Sequence, residues 1–170
     1  NRLIEVPLNV GNLDGAKAAA ERAAKPAQDI CLSIPKEVAI GYHSCYGTLD
    51  GWPSRTPPDA TGTVLLLNSV IEASGRSVEF VHFPTLATSD EVFFRPFEDL
   101  NLRGARAYVG AIHHLHGPDG LKAQIESIKK FLPEFGLAAP CGFGRAPERP
   151  GKLLSENIGN TTEDYIREII

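Results

Sequence analysis

The chain has 170 residues, of which 42% are hydrophobic, enough for one domain with a real core and too apolar for a disordered segment. A net charge of -4 and a pI near 5.7 provide no basic surplus for nucleic acid or an anionic membrane. Three cysteines cannot make the disulfide framework of a small secreted protein, so a reducing, cytoplasmic compartment is expected.

No apolar run reaches membrane-spanning length, and the opening Asn1-Arg-Leu-Ile-Glu-Val lacks the charged start and apolar core of a signal segment. With Asn at the first position and no methionine anywhere, the sequence reads as processed, trimmed or excerpted. The whole of 1–170 is expected to form a single domain.

In chain order, the apolar residues Leu3, Ile4, Val6 and Leu8 suggest a first strand. The alanine-rich run from Asp14 to Ala24 predicts a helix with Asp14 as its N-cap and Pro26 as its end. Cys31 follows, before Pro35, with no partner at metal or disulfide spacing, and reads as a small buried apolar residue.

Val38 to His43 is the next expected strand, running into a long polar loop from Gly47 to Gly62 with Trp52, Pro53, Pro57 and Pro58. Loops of that length in compact domains are usually functional or disordered. Thr61 to Ser74 predicts a helix closed by Gly75. Ser77 to Phe83 predicts a strand stopped by Pro84, and Arg106 to Ile112 another, followed by His113, His114 and His116.

Between those strands, Asp90 to Leu100 carries Phe93, Phe94 and Phe97 and suggests a short helix packed on the sheet. Leu121, Ile125, Ile128 and Leu132 follow the helical period over Asp119 to Phe135, with Gly136 as the stop. A strand leading to Cys141 comes next, and Asn160 to Ile170 predicts a terminal helix. Strands alternating with helices in this way predict parallel β/α units.

The polar chemistry is unevenly placed. All five histidines and two of the three cysteines fall at or just beyond the C-terminal ends of predicted strands, the edge at which β/α folds build their active sites. In Ala39-Ile-Gly-Tyr-His-Ser-Cys-Tyr-Gly47, His43 and Cys45 are two residues apart, so on a strand they share a face at about 7 Å. That suits two ligands of one metal ion, and Cys141 in Leu137-Ala-Ala-Pro-Cys-Gly-Phe-Gly-Arg145 is the candidate third.

His82 is read as a fourth ligand, a general acid or base, or a hydrogen-bonded strand-end residue. At most one of the adjacent His113 and His114 can face the centre. Arg145, beside the candidate ligand, suits a clamp on a substrate carboxylate or phosphate. Tyr46, Asp50, Trp52 and Arg55 are placed to line or lid the site from the long loop.

Four stretches, in this order, resemble the C-terminal catalytic half of the cobalamin-independent methionine synthase and uroporphyrinogen decarboxylase-like superfamily. They are His43-Ser-Cys45-Tyr-Gly, Glu79-Phe-Val-His82-Phe-Pro, Tyr108-Val-Gly-Ala-Ile-His-His114 with Gly117 and Gly120, and Phe135 to Arg145. They are most similar to its short methionine-synthase-like branch, over about two thirds of the chain.

The resemblance implies an α/β fold of the (β/α)8 TIM-barrel type, present as roughly the C-terminal half of a barrel, since a whole one takes about 250 residues. The other half is expected elsewhere in a parent protein or from a second copy, in a homo-oligomer. It implies zinc held by His43, Cys45 and Cys141, activating a small-molecule thiol substrate for methyl transfer from a folate or corrinoid donor. By position His113 matches an acid or base beside the donor, and His82 stands where methionine synthases carry Glu. The alternatives are a metal-free lyase of the decarboxylase kind and a non-catalytic binding module on the same barrel.

Overall fold

The computed structural model describes residue 8 and residues 11–47, 52–113 and 117–141. The predicted first strand within 1–7 and the terminal helix of 160–170 lie outside the described residues, as do Asp50, His114, His116 and Arg145. The elements run α1 (Leu13–Ser33), β1 (Gly41–His43), α2 (Thr61–Ala73), β2 (Phe80–Pro84), α3 (Glu91–Phe94) continued by a 3-10 turn (Arg95–Asp99), β3 (Arg106–Gly110), α4 (Pro118–Lys129) and β4 (Gly136–Ala138). Among the described residues, no helix is long and apolar enough to cross a membrane.

The four strands form one sheet in the order β1-β2-β3-β4, and all three pairings are parallel, as the alternation of elements predicted. Strands laid down in sequence order with crossovers of the usual right hand carry their helices to the same side. Burial agrees. Val81, Phe83, Ala107 and Val109 are buried on the helical side, whereas Phe80, Arg106 and His43, on the opposite face, are exposed. Parallel sheets are ordinarily covered by helices on both faces, and among the described residues no helix covers this second face.

The core forms on the helical side from α2 (Val64, Leu67, Val70, Ile71), α3 and its 3-10 extension (Phe93, Phe94, Phe97) and α4 (Leu121, Ile125, Ile128). Phe97 meets Phe83 of β2 at 5.0 Å between ring centroids, which seats the phenylalanine helix on the sheet. Asp90 caps that helix by accepting from the Phe93 N–H.

Three helix boundaries differ from the sequence expectation. Asn12, not Asp14, caps α1, its side chain accepting from Gly15 N at 2.8 Å. Pro26 does not end that helix but lies inside it, and the chain stays helical to Ser33. An internal proline forfeits one backbone hydrogen bond. The loss is offset by a buried stripe of Ala16, Ala19, Ala20, Ala24 and Cys31 that runs the full length of α1. Helix α4 stops earlier than Phe135, because Leu132 precedes Pro133 and the final turn tightens, with Phe131 and Leu132 N–H groups both donating to the Ile128 carbonyl.

The entry to β1 is fixed by Arg76, just beyond α2. Its guanidinium donates to the carbonyls of Ile34, Pro35, Lys36 and Val38 at 2.7–3.0 Å, clamping the connection between α1 and β1.

On the open face Gly110 is where the chain crosses the sheet. A Cβ there would lie 3.0 Å from Pro140 Cα, 3.1 Å from the Ala139 carbonyl oxygen and 3.1 Å from Pro84 Cα. The segment after β4 therefore folds back over β3 at the one position with no side chain in its way. Cys141 thereby leaves the far edge of the sheet, three strand spacings or about 14 Å from β1, and approaches β1. Gly110→Ala pushes against backbone atoms that cannot rotate aside. It should cost about 1–3 kcal/mol in urea denaturation, and an unchanged midpoint would show that the crossing is looser than the contacts indicate.

Candidate metal centre

β1 and β2 pair with Gly41 opposite Phe80, Tyr42 opposite Val81 and His43 opposite His82. This register sets the two imidazoles side by side on the open face, stacked with centroids 4.8 Å apart and planes at 23°. Their Nδ1 atoms are 2.9 Å apart. On its other side His82 Nε2 lies 3.1 Å from the carbonyl oxygen of Ala139, in the segment that crosses Gly110.

Beyond β1 the parallel pairing continues for one more bond, from Ser44 N to the His82 carbonyl, with Ser44 buried. Cys45 then follows on the same side as His43, and its Sγ accepts from the Gly47 N–H at 3.3 Å. The crossing segment brings Cys141 to the same place. One ligand atom each from His43, Cys45 and Cys141 lies within 4.8 Å of the others. Around a tetrahedral zinc such atoms sit roughly 3.5–3.8 Å apart, given metal–sulfur and metal–nitrogen bonds of about 2.3 and 2.0 Å. The three residues can close on one ion by side-chain rotation. Imidazole with two thiols is a zinc-type donor set.

His82 stands beside this trio and touches it through His43. Both imidazoles have pKa values below the ordinary histidine value. For His43 the main cause is burial, then the neighbouring charge of His82, with the His82 backbone carbonyl pulling the other way. For His82 burial again dominates, partly opposed by the Ala139 carbonyl. Both rings are therefore neutral near pH 7, the form in which an imidazole can be a ligand.

The other sequence-derived candidates fall in two places. His113 is 2% exposed, and its Nε2 lies 3.2 Å from the Thr85 hydroxyl. That hydroxyl donates to Gln124 Oε1, so it accepts from His113, and Gln124 in turn donates to the Leu86 carbonyl. Trp52 lies over His113 with ring centroids 5.5 Å apart. Its indole N–H is buried and has no acceptor among the described residues. Tyr46 is 1% exposed, packs edge-on against Phe93, and shares a hydrogen bond with Thr63. It belongs to the core beneath the loop.

Cys31 is buried as expected, though not idle: its Sγ is 2.7 Å from the Tyr42 hydroxyl, which also bonds Ser74. Burial and the Cys31 contact raise the Tyr42 pKa, with Ser74 opposing. On the open face, a hollow of about 360 Å³ is lined by Phe80, His82, Tyr108 and Ala138. A larger one of about 620 Å³ lies between Leu102–Tyr108 and Glu134–Gly136 at the opposite end of the strands, away from the thiols. The smaller one is the more relevant to chemistry, since His82 forms part of its wall.

Sequence reasoning missed Gly110, Ala139 and the Thr85–Gln124 pair. A glycine within the expected strand Arg106 to Ile112 was the available signal for a close backbone approach.

The lowered imidazole pKa values have a consequence for stability. The unfolded chain takes up protons near pH 6.5 while the folded site resists them, so stability is full above that value and falls as the pH drops below it. In chelator-treated protein the urea midpoint should fall between about pH 7.5 and 5.5, and the fall should be smaller in His82→Gln. Equal pH slopes for the two proteins would show that these imidazoles are not held neutral by the fold.

Compared with known proteins, the chain matches no family model, no curated protein and no solved structure.

Proposed function

We propose that the chain is a zinc-dependent alkyl-transfer domain of the methionine-synthase-like kind, moving a methyl group to or from a small thiol, on an arc of a (β/α)8 barrel. The observation that carries this reading is the convergence of His43, Cys45 and Cys141, the two cysteines lying 96 positions apart in the chain. A parallel sheet wound in sequence order, with one face packed and the other open, supports the barrel part of it. In a closed barrel the open face would line the interior, and the remaining strands would come from further sequence or a second copy.

The residues fit the metal. His43 is neutral near pH 7, and Cys45 and Cys141 bring two thiols to it, which a reducing, cytoplasmic setting would keep able to bind the ion. Zinc, when bound, supplies a Lewis acid that keeps a substrate thiol deprotonated near neutral pH without redox chemistry.

The chain's own groups then divide the remaining work. Trp52 has a buried indole N–H to offer to a polar atom of the substrate or of a folate or corrinoid donor. His113, whose Nε2–H is held by Thr85, would carry at Nδ1, as the protonated ring, the proton that the leaving group requires. Arg145 keeps its sequence-based assignment as a clamp on a substrate carboxylate, which would align sulfur and carbon for displacement.

Protein purified without chelator should contain about one zinc per chain. Cys141→Ser should lower that content strongly and Cys31→Ser should leave it intact, since Cys31 bonds Tyr42 in the core. A thiol substrate should also alter the sulfur coordination seen by X-ray absorption. Sub-stoichiometric metal that Cys141→Ser does not change would overturn the zinc reading and favour a metal-free lyase.

A further inference from the structure

We infer that His82 is a positioning residue which relays the Ala139 carbonyl to His43, fixing His43 with its hydrogen on Nδ1 and leaving Nε2 as the nitrogen that binds metal. The inference rests on the zinc reading for the ligand cluster and on hydrogen bonding alone for the proton positions.

An amide oxygen only accepts, so the His82 Nε2 atom 3.1 Å from Ala139 O must carry a hydrogen. A neutral imidazole carries one ring hydrogen, so the Nδ1 atom of His82 has a lone pair. Its partner at 2.9 Å is Nδ1 of His43, which must then donate. The single hydrogen of His43 is thereby spent on His82, and its Nε2 keeps the lone pair.

The reverse arrangement is disfavoured at both ends. A hydrogen on His82 Nδ1 would set the bare Nε2 lone pair against the carbonyl lone pairs of Ala139. It would also leave His43 with a hydrogen on Nε2 and no lone pair for a metal. Histidine ligands characteristically donate their second ring N–H to an outer partner, which fixes the tautomer and ring orientation and raises the basicity of the ligating nitrogen. Here that partner is a second histidine, itself oriented by main chain.

One segment supplies both ends of the arrangement. Ala139 carries the carbonyl and Cys141, two residues later, is the third ligand. The passage over Gly110 that delivers the thiol also sets the imidazole's proton. His82 therefore acts outside the ligand set and in support of it.

Long-range proton–nitrogen correlation on histidine-labelled, metal-free protein at about pH 8, above the ordinary imidazole range, tests this directly. His43 should show a protonated Nδ1 and an unprotonated Nε2, and added zinc should shift the Nε2 resonance. His82→Phe keeps the ring but removes the acceptor, so His43 should become a tautomer mixture and zinc affinity should drop by about 10–100-fold. His82→Asn puts an oxygen where Nδ1 stood and should restore both. A wild-type His43 protonated on Nε2, zinc on Nδ1, or a folded His82→Phe with unaltered tautomer and affinity would overturn the assignment. If His82→Phe does not fold, the wild-type spectrum decides. Failure of the wild type to take up zinc would remove the metal reading, while the metal-free spectrum would still decide the proton relay.

Discussion

A parallel strand cannot return directly to its neighbour, and each crossover must pass over one face of the sheet. When four such strands are laid down in chain order, successive crossovers pass over the same face. Everything distinctive about this protein follows from that constraint. It concentrates Val81, Phe83, Ala107 and Val109 with the helical phenylalanines on one side, and it leaves the alternate residues His43, Phe80, His82 and Tyr108 on the other. The candidate ligand His43 and its neighbour His82 lie on the side that the helices do not need.

Within that open face, strand register and chain path have separate tasks. Register places two imidazoles in contact, because each is the third residue of its strand and the strands start level. Path brings in the thiol from the opposite edge, because a glycine at the crossing point lets main chain lie directly on main chain. The two meet at the Ala139 carbonyl, which His82 contacts. Partial desolvation lowers the pKa of both rings, which favours the neutral form that a ligand role for His43 requires.

The sequence was most informative where one rule governed the outcome. Strand-favouring composition located β2, with Pro84 as its stop, and β3, and an apolar run before a glycine located α2, whose following Gly75 has the expected positive φ of 64°. His43, Cys45 and Cys141 were legible as strand-end residues with compatible chemistry. It was least informative where tertiary contacts outweighed a local rule. Pro26 is a helix breaker in isolation, but the buried alanine stripe continues past it. Gly110 signalled a close backbone approach, but which segment makes it could not be read from residue types, because that depends on what lies above the sheet. The pairing of His43 with His82 needed the strand register, which no pattern along one strand contains.

Arg76 illustrates a different kind of dependence. All four of its hydrogen bonds are to main-chain oxygens, spread over the five residues from Ile34 to Val38. The side chains of that connection are therefore spectators: many substitutions there would leave every acceptor in place, whereas Arg76 itself has no substitute among the other side chains, since lysine has three donors on one atom and no planar fork. Over evolutionary drift the five-residue connection would be expected to vary freely around one fixed cation, a pattern opposite to the usual one in which a turn's own residues dictate its shape.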